Sequence, residues 1–151
     1  MRKSVEVVIH DSEDDYRQEY MTNFVNGETL SLRGIPILFD DKSFDHIFFE
    51  PLSELSKKGR FSKRRAKKMN FIKPILNEEV DIEVMHEPDS GSIAVFCVDL
   101  DCVMYLRVRP GTGKMQIGSF FDFGRDHTKM YEKQKRKCVP ITDDKLKELI
   151  N

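Results

Sequence analysis

Apolar and polar residues follow two different periods along this chain, and the change falls near Asn77. Before it the spacing is helical. Asp11 or Ser12 is placed to cap an acidic helix from Glu13 to about Val25, where Tyr16, Tyr20 and Phe24 recur every fourth residue and share a face. Gly27 closes that helix, because a helix C-terminus favours a residue without a Cβ. On either side, Val5 to His10 has the composition of a short strand and Leu30 to Phe39 reads as extended. Pro36 disfavours a central strand position for the second of these. Ser43 is placed to cap a short helix, Phe44 to Glu50, that stops at Pro51. A loop of Ser, Lys and Gly then leads into a basic helix capped by Ser62 and bent or ended at Pro74.

After Asn77 the period is two. Val80 to Glu87, Ser92 to Val98, Cys102 to Arg109 and Met115 to Phe123 read as four strands joined by short turns, which predicts an antiparallel meander. Residues 126–137 enter a further helix, and Thr142 or Asp143 caps a last one ending at Ile150. Helical patterns followed by consecutive strand patterns predict an α+β fold. In it, N-terminal helices pack on a roughly four-stranded antiparallel sheet, with a short helix at the C-terminus. Residues 39–151 form the main domain in this reading, and residues 1–38 an N-terminal extension or adaptor.

Strict alternation also assigns faces. Cys102, Met104, Leu106 and Val108 fall on one side of their strand, with Val103, Tyr105, Arg107 and Arg109 on the other. On the next strand Met115, Ile117, Ser119 and Phe121 oppose Lys114, Gln116, Gly118, Phe120 and Asp122. With helices on the apolar face, the arginines lie on an open face that suits an anionic chain. Tyr105, Phe120 and Phe123 supply only part of a single-strand stacking platform.

Charge sharpens the picture. The chain of 151 residues has a net charge of −1, yet the seventeen residues from Lys57 to Lys73 hold nine lysines and arginines and no acid. The remainder carries 16 basic against 26 acidic residues. A concentrated cationic surface on an otherwise acidic chain points to a polyanion partner. Phe61, Ala66, Met69, Ile72, Ile75 and Leu76 form an apolar stripe through the run, leaving Lys63, Arg64, Lys67 and Lys68 on the opposite side. That pattern predicts a folded amphipathic helix with a basic outer face. No apolar run approaches the ~18 residues that span a bilayer, and the first residues lack a segment long enough for a signal peptide, so no membrane association is expected. Three cysteines, Cys97, Cys102 and Cys138, fit reduced thiols and a cytoplasmic location better than a disulfide framework.

No phosphate-binding loop, dinucleotide fingerprint, zinc-protease motif or nucleophile elbow is present. The glycines of Pro110 to Lys114 lie between two strands, where a hairpin turn is expected. Cys97 and Cys102 face each other across a predicted turn as packing partners, and the carboxylates have no two-metal spacing, so neither a metal nor a cofactor is expected. Histidine and cationic side chains remain. His46 sits on the short helix beside Asp45. His127 lies in a segment dense in donors, with Arg125, Lys129 and Tyr131, just after a strand end. Metal-free RNA cleavage needs a base for the ribose 2′-hydroxyl, an acid for the departing 5′-oxygen, and cations for the phosphorane charge. His46 and His127 suit the proton roles, and Arg107, Arg109 and Lys129 suit the phosphate. The same inventory also fits a nucleic-acid-binding module without catalysis, or a protein-interaction domain.

The stretch from Phe44 to Glu50 through the basic run and the strands to Ser119–Lys135 resembles the barnase/EndoU/colicin/RelE-like nuclease superfamily, in particular its phage-associated branch. The similarity spans residues 39–137 and rests on element order, the helix histidine His46 and Ser119 on a late strand. The resemblance implies a metal-independent endoribonuclease acting on tRNA or mRNA, often as a toxin, for which a cognate inhibitor or immunity protein is a further partner. By position it implies His46 as base, Arg107 as phosphate ligand and Ser119 as substrate contact. His127 and Lys129 have no counterpart in that pattern, and their roles rest on their chemistry.

Overall fold

A computed structural model of the chain describes residues 5–51 and 59–150. Lys57, Lys58 and the loop read before the basic run lie wholly or partly outside them. Helix α1 (Glu13–Tyr20) is capped by Ser12, whose hydroxyl accepts from the Asp15 amide, and Glu13, Asp14 and Asp15 favour the positive end of the helix. A π-helical turn, Met21–Val25, continues it, so Tyr16, Tyr20 and Phe24 are all buried as their spacing predicts. Both tyrosine hydroxyls find acceptors: Tyr16 donates to the Val8 carbonyl and Tyr20 to that of Asp40. Residues 5–10 are not a strand. Their backbone is held instead by single contacts, among them the Val8 amide donating to the Lys67 carbonyl at 2.8 Å.

The fold is α+β, as the two periods predict, but among the described residues the main sheet has seven strands instead of four and is mixed. Its order is β1 (Ser31–Leu32), β2 (Ile35–Leu38), β8 (Lys114–Asp122), β7 (Cys102–Arg109), β6 (Ser92–Cys97), β5 (Glu83–Glu87) and β9 (Val139–Pro140). The four central strands are the expected antiparallel meander. The extra strands lie outside it. β9 adds to β5, and β2 pairs parallel with β8 through Ile37 and Leu38, both beyond Pro36. The proline itself faces Ser31 on the two-residue edge strand β1.

Helix α2 (Ser43–Phe48) follows β2, but Ser43 is its first residue and not its cap. The capping group is Asp40, whose carboxylate accepts from both the amide and the hydroxyl of Ser43. The expected stop at Pro51 gives way to β3 (Phe49–Pro51), paired with β4 (Gly59–Phe61) in a small second sheet. The basic run is not one helix among the described residues. It breaks into α3 (Lys63–Ala66), a 3₁₀ turn (Met69–Phe71) and α4 (Ile72–Leu76), with Ser62 capping the first as expected and Pro74 in the first turn of the last. Its apolar stripe is nevertheless buried, apart from the half-buried Phe61. Helices α5 (His127–Lys135) and α6 (Asp143–Ile150) complete the chain, α6 capped by the Thr142 hydroxyl.

One large core runs from Val8 to Ile150 and contains Tyr20, Phe44 and Phe48 with one face of the sheet. A second, smaller core lies on the other face, where Met130 and Tyr131 of α5 pack against Phe96, Val103 and Phe123. The face expected to be open is therefore covered at one end. Cys97 and Cys102 are wholly buried and directly opposite in the β6–β7 ladder, as their spacing suggests.

Period-two counting fails at one residue. Tyr105 pairs with Ser119, but Leu106 pairs with Ile117, so Gly118 is an extra residue in β8. Beyond this bulge the faces exchange. Met115 and Ile117 join Phe120 in the main core, whereas Gln116, Ser119 and Phe121 share the face of Arg107 and Tyr105. The glycine also leaves room for the Arg107 side chain, whose Nε lies 3.0 Å from where a Cβ would stand.

Candidate functional site

Strand β8 is the spine of the candidate site. At its start, Gln116 donates to the Ser43 hydroxyl at 2.7 Å, and its carbonyl oxygen accepts from Arg109 at 2.7 Å. Ser43 in turn donates to Asp40 at 2.7 Å. Burial alone would raise the Asp40 pKa, but the two Ser43 hydrogen bonds and the nearby Lys42 and Arg109 charges hold it below the usual carboxylate range. Gln116 is also the cross-strand partner of Arg107. Helix α2 then runs beside β8. Just past its end the Phe49 carbonyl accepts from Arg65 at 2.8 Å, and the Arg65 guanidinium lies 5.5 Å from the centre of the Phe121 ring. Burial lowers the Arg65 pKa from its ordinary value. His46, exposed and one helical turn after Ser43, sits between these two attachment points.

At the other end of β8, Asp122 accepts Arg64 through a two-point contact of 2.8 and 2.7 Å, and Lys68 approaches it at 3.3 Å. Of the four cations read as a phosphate-binding face, Arg64 and Lys68 are thus anchored to the sheet. Lys63 is exposed and Lys67 half-buried. Arg64 also lines a cavity of about 620 Å³ with Arg125, Lys129 and Lys133, against the carboxylate of Asp126. Two basic segments some sixty residues apart in sequence therefore meet, since Gly124, with φ 75°, turns the chain back toward Arg64.

The sequence-predicted residues divide between the two ends. Lys129 shares its cavity with Arg64, while Arg107 lines another, of about 640 Å³, with His86 and Ser92. Asp122 lies six positions beyond Gln116 on β8, about 20 Å at the usual rise of a strand. His127 is exposed at the start of α5, Arg109 is exposed and bound to Gln116, and Ser119 is half-buried opposite Tyr105. Sequence reasoning missed His86, Gln116 and Lys133. The i, i+4 spacing of Lys129 and Lys133 was the available signal for the last. His86 gave none, because strand alternation does not show which residues border the Ser90–Gly91 turn.

Helix α5 is held to β5 by Glu83. Its carboxylate accepts from the Tyr131 hydroxyl and pairs with Lys135 at 2.9 Å, and these contacts hold the Glu83 carboxyl below the usual range. A lowered folded-state value means the stabilisation is fully present above the unfolded value of about 4.3 and is lost as pH falls through the folded value. The protection of the α5 amides against hydrogen exchange, taken relative to the intrinsic rate at each pH, is accordingly expected to fall on acidification below about pH 4. Glu83→Gln should exchange faster at neutral pH and lose this acid-dependent component; an identical pH profile in the variant would show that Glu83 does not hold the helix.

Among the described residues, no group of three or more His, Cys, Asp or Glu side chains is placed to hold a metal ion, and no helix is long and apolar enough to cross a membrane. In comparisons with known proteins, no family model, no curated protein and no solved structure matches the chain.

Proposed function

We propose that this chain binds RNA along β8 and cleaves it without a metal ion, as the resemblance to the barnase/EndoU/colicin/RelE-like nucleases implies. The observation that carries the RNA reading is the convergence of Arg64 with Arg125, Lys129 and Lys133 around one cavity, in a chain whose net charge is only −1. Such clustering concentrates a phosphate-attracting field where a strand can lie. In the reaction, a ribose 2′-oxygen attacks the adjacent phosphorus as its proton passes to a base, and the bond to the 5′-oxygen breaks as an acid protonates it. His46 is assigned the base role and His127 the acid role, with Arg107 and Lys129 stabilising the phosphorane charge. Lys63, Arg64, Lys67, Lys68, Arg109 and Ser119 hold the substrate. The test is incubation of the purified chain with tRNA, mRNA and single-stranded RNA in EDTA. The expected products carry 2′,3′-cyclic phosphate and 5′-hydroxyl ends; intact RNA in every case would remove the cleavage step.

A non-catalytic RNA-binding module is the second reading. It is favoured by the division of Arg107 and Lys129 between two cavities. Both readings require the basic face. Replacing Lys63, Arg64, Lys67 and Lys68 by Gln is expected to weaken RNA binding and flatten its salt dependence, by about 0.7 in the log–log slope for each single-strand phosphate that is no longer neutralised. Because Arg64 and Lys68 are already paired with Asp122, the exposed Lys63 should account for more of the change than either of them. An unchanged slope would mean that the face is merely solvated.

A further inference from the structure

Three of the cations at the end of β8 have no acidic partner among the described residues: Arg125, Lys129 and Lys133. Several cations elsewhere are paired with acids. Arg17 meets Glu13 and Asp45, Arg33 meets Glu78 and Asp143, Arg64 and Lys68 meet Asp122, and Lys135 meets Glu83. Like charges gathered around one cavity repel one another, and a bound anion relieves that repulsion. Lys129 and Lys133 stand one turn apart on α5, with Arg125 on the loop before it. The N-cap residue of α5 is Asp126, whose side chain does not cap the helix but lines the same cavity, so one carboxylate offsets part of the charge of Arg125, Lys129 and Lys133 and leaves the cations in excess.

The cavity is not uniformly polar. Phe123 and Met130 form an apolar wall, and Phe123 is steadied edge-on against Tyr131 at 5.7 Å. At about 620 Å³ the cavity falls within the ~300–1,000 Å³ usual for small-molecule sites. Cations on one side and an apolar wall on the other match a ligand that is anionic at one end and flat and apolar at the other. We propose that this cavity is a nucleotide pocket. It takes one nucleotide of the bound RNA, with the phosphate against Arg125, Lys129 and Lys133 and the base against Phe123 and Met130. The inference rests on the RNA reading above and deepens it, by assigning a subsite about a strand's length away from Arg107.

The test uses the full chain with adenosine and uridine 5′-monophosphates, the free nucleosides and inorganic phosphate as probes. Binding is followed by calorimetry and by the NMR signal of the Met130 methyl group. Both nucleotides are expected to bind and to shift that signal, with the nucleosides much weaker. Arg125→Gln with Lys133→Gln, both at exposed positions, should weaken nucleotide binding about tenfold or more while the melting temperature stays within a few degrees of the parent. Phosphate binding as tightly as the nucleotides, with the Met130 signal unmoved, would reduce the cavity to an anion site and overturn the proposal. So would the absence of nucleotide binding. RNA cleavage measured on the same samples separates the two readings: cleavage without nucleotide binding ends only the pocket, and nucleotide binding without cleavage ends only the ribonuclease.

Discussion

Replacing His46 by alanine is expected to slow RNA cleavage in EDTA by about 10²–10⁴-fold, the usual cost of removing a proton carrier, while RNA affinity stays within a few-fold. Two features of the structure separate these effects. His46 is exposed on α2, so its removal leaves the packing of Phe44, Ile47 and Phe48 intact. It also stands on α2, outside the cavity that Arg125, Lys129 and Lys133 line. His127→Ala is expected to lose activity on the same scale if it supplies the second proton transfer. The pH–rate profile distinguishes the pair, since loss of the base removes the acidic limb and loss of the acid the alkaline limb. Full activity in both variants would take histidine out of the mechanism, and an equal loss of RNA affinity would recast His46 as a binding residue.

Phe44→Ala is expected to destabilise the fold by about 3–5 kcal/mol, a large share of the ~5–15 kcal/mol typical of a folded domain. The ring is fully buried and sits where several elements meet. Tyr20 packs edge-on at 5.5 Å, Phe61 stacks at 5.9 Å, Phe48 lies at 5.1 Å, and the Arg17 guanidinium covers one face at 4.3 Å. Neighbours from α1, α2 and β4 would all border the resulting cavity. Urea unfolding followed by tyrosine fluorescence and by amide NMR should show one shared transition, shifted together in the variant. A loss under about 1 kcal/mol would mean that α1 and its surroundings contribute little to the core joining them to residues 39–151.

Where a signal is local, it was legible in the residues. The side chains of Ser12, Ser62 and Thr142 cap the helices they precede, because a cap acts on amides two or three residues away. The i, i+4 aromatics of α1 face the core, and the four central strands and their turns follow from period-two runs broken by Gly, Pro and Asp. Asp40 was harder to read, since the residue that caps α2 is offset from the Ser43 that looks like a cap.

Of the candidate site, the sequence by itself determined the inventory: a basic run, a histidine on a short helix, arginines on one strand and a second cationic segment after the sheet. Composition and spacing suffice for that, because they are properties of neighbouring residues. Tertiary structure alone decided which of them meet. Parallel pairing of Ile37 and Leu38 with β8 sets α2 and His46 beside that strand, and the bulge at Gly118 exchanges the faces of its two halves. Docking of Tyr131 and Lys135 on Glu83 lays α5 over the second face, where Lys129 and Lys133 share a cavity with Arg64. Each of these contacts joins residues distant along the chain. They are selected by burial and charge pairing across space, which no periodicity along a single segment records.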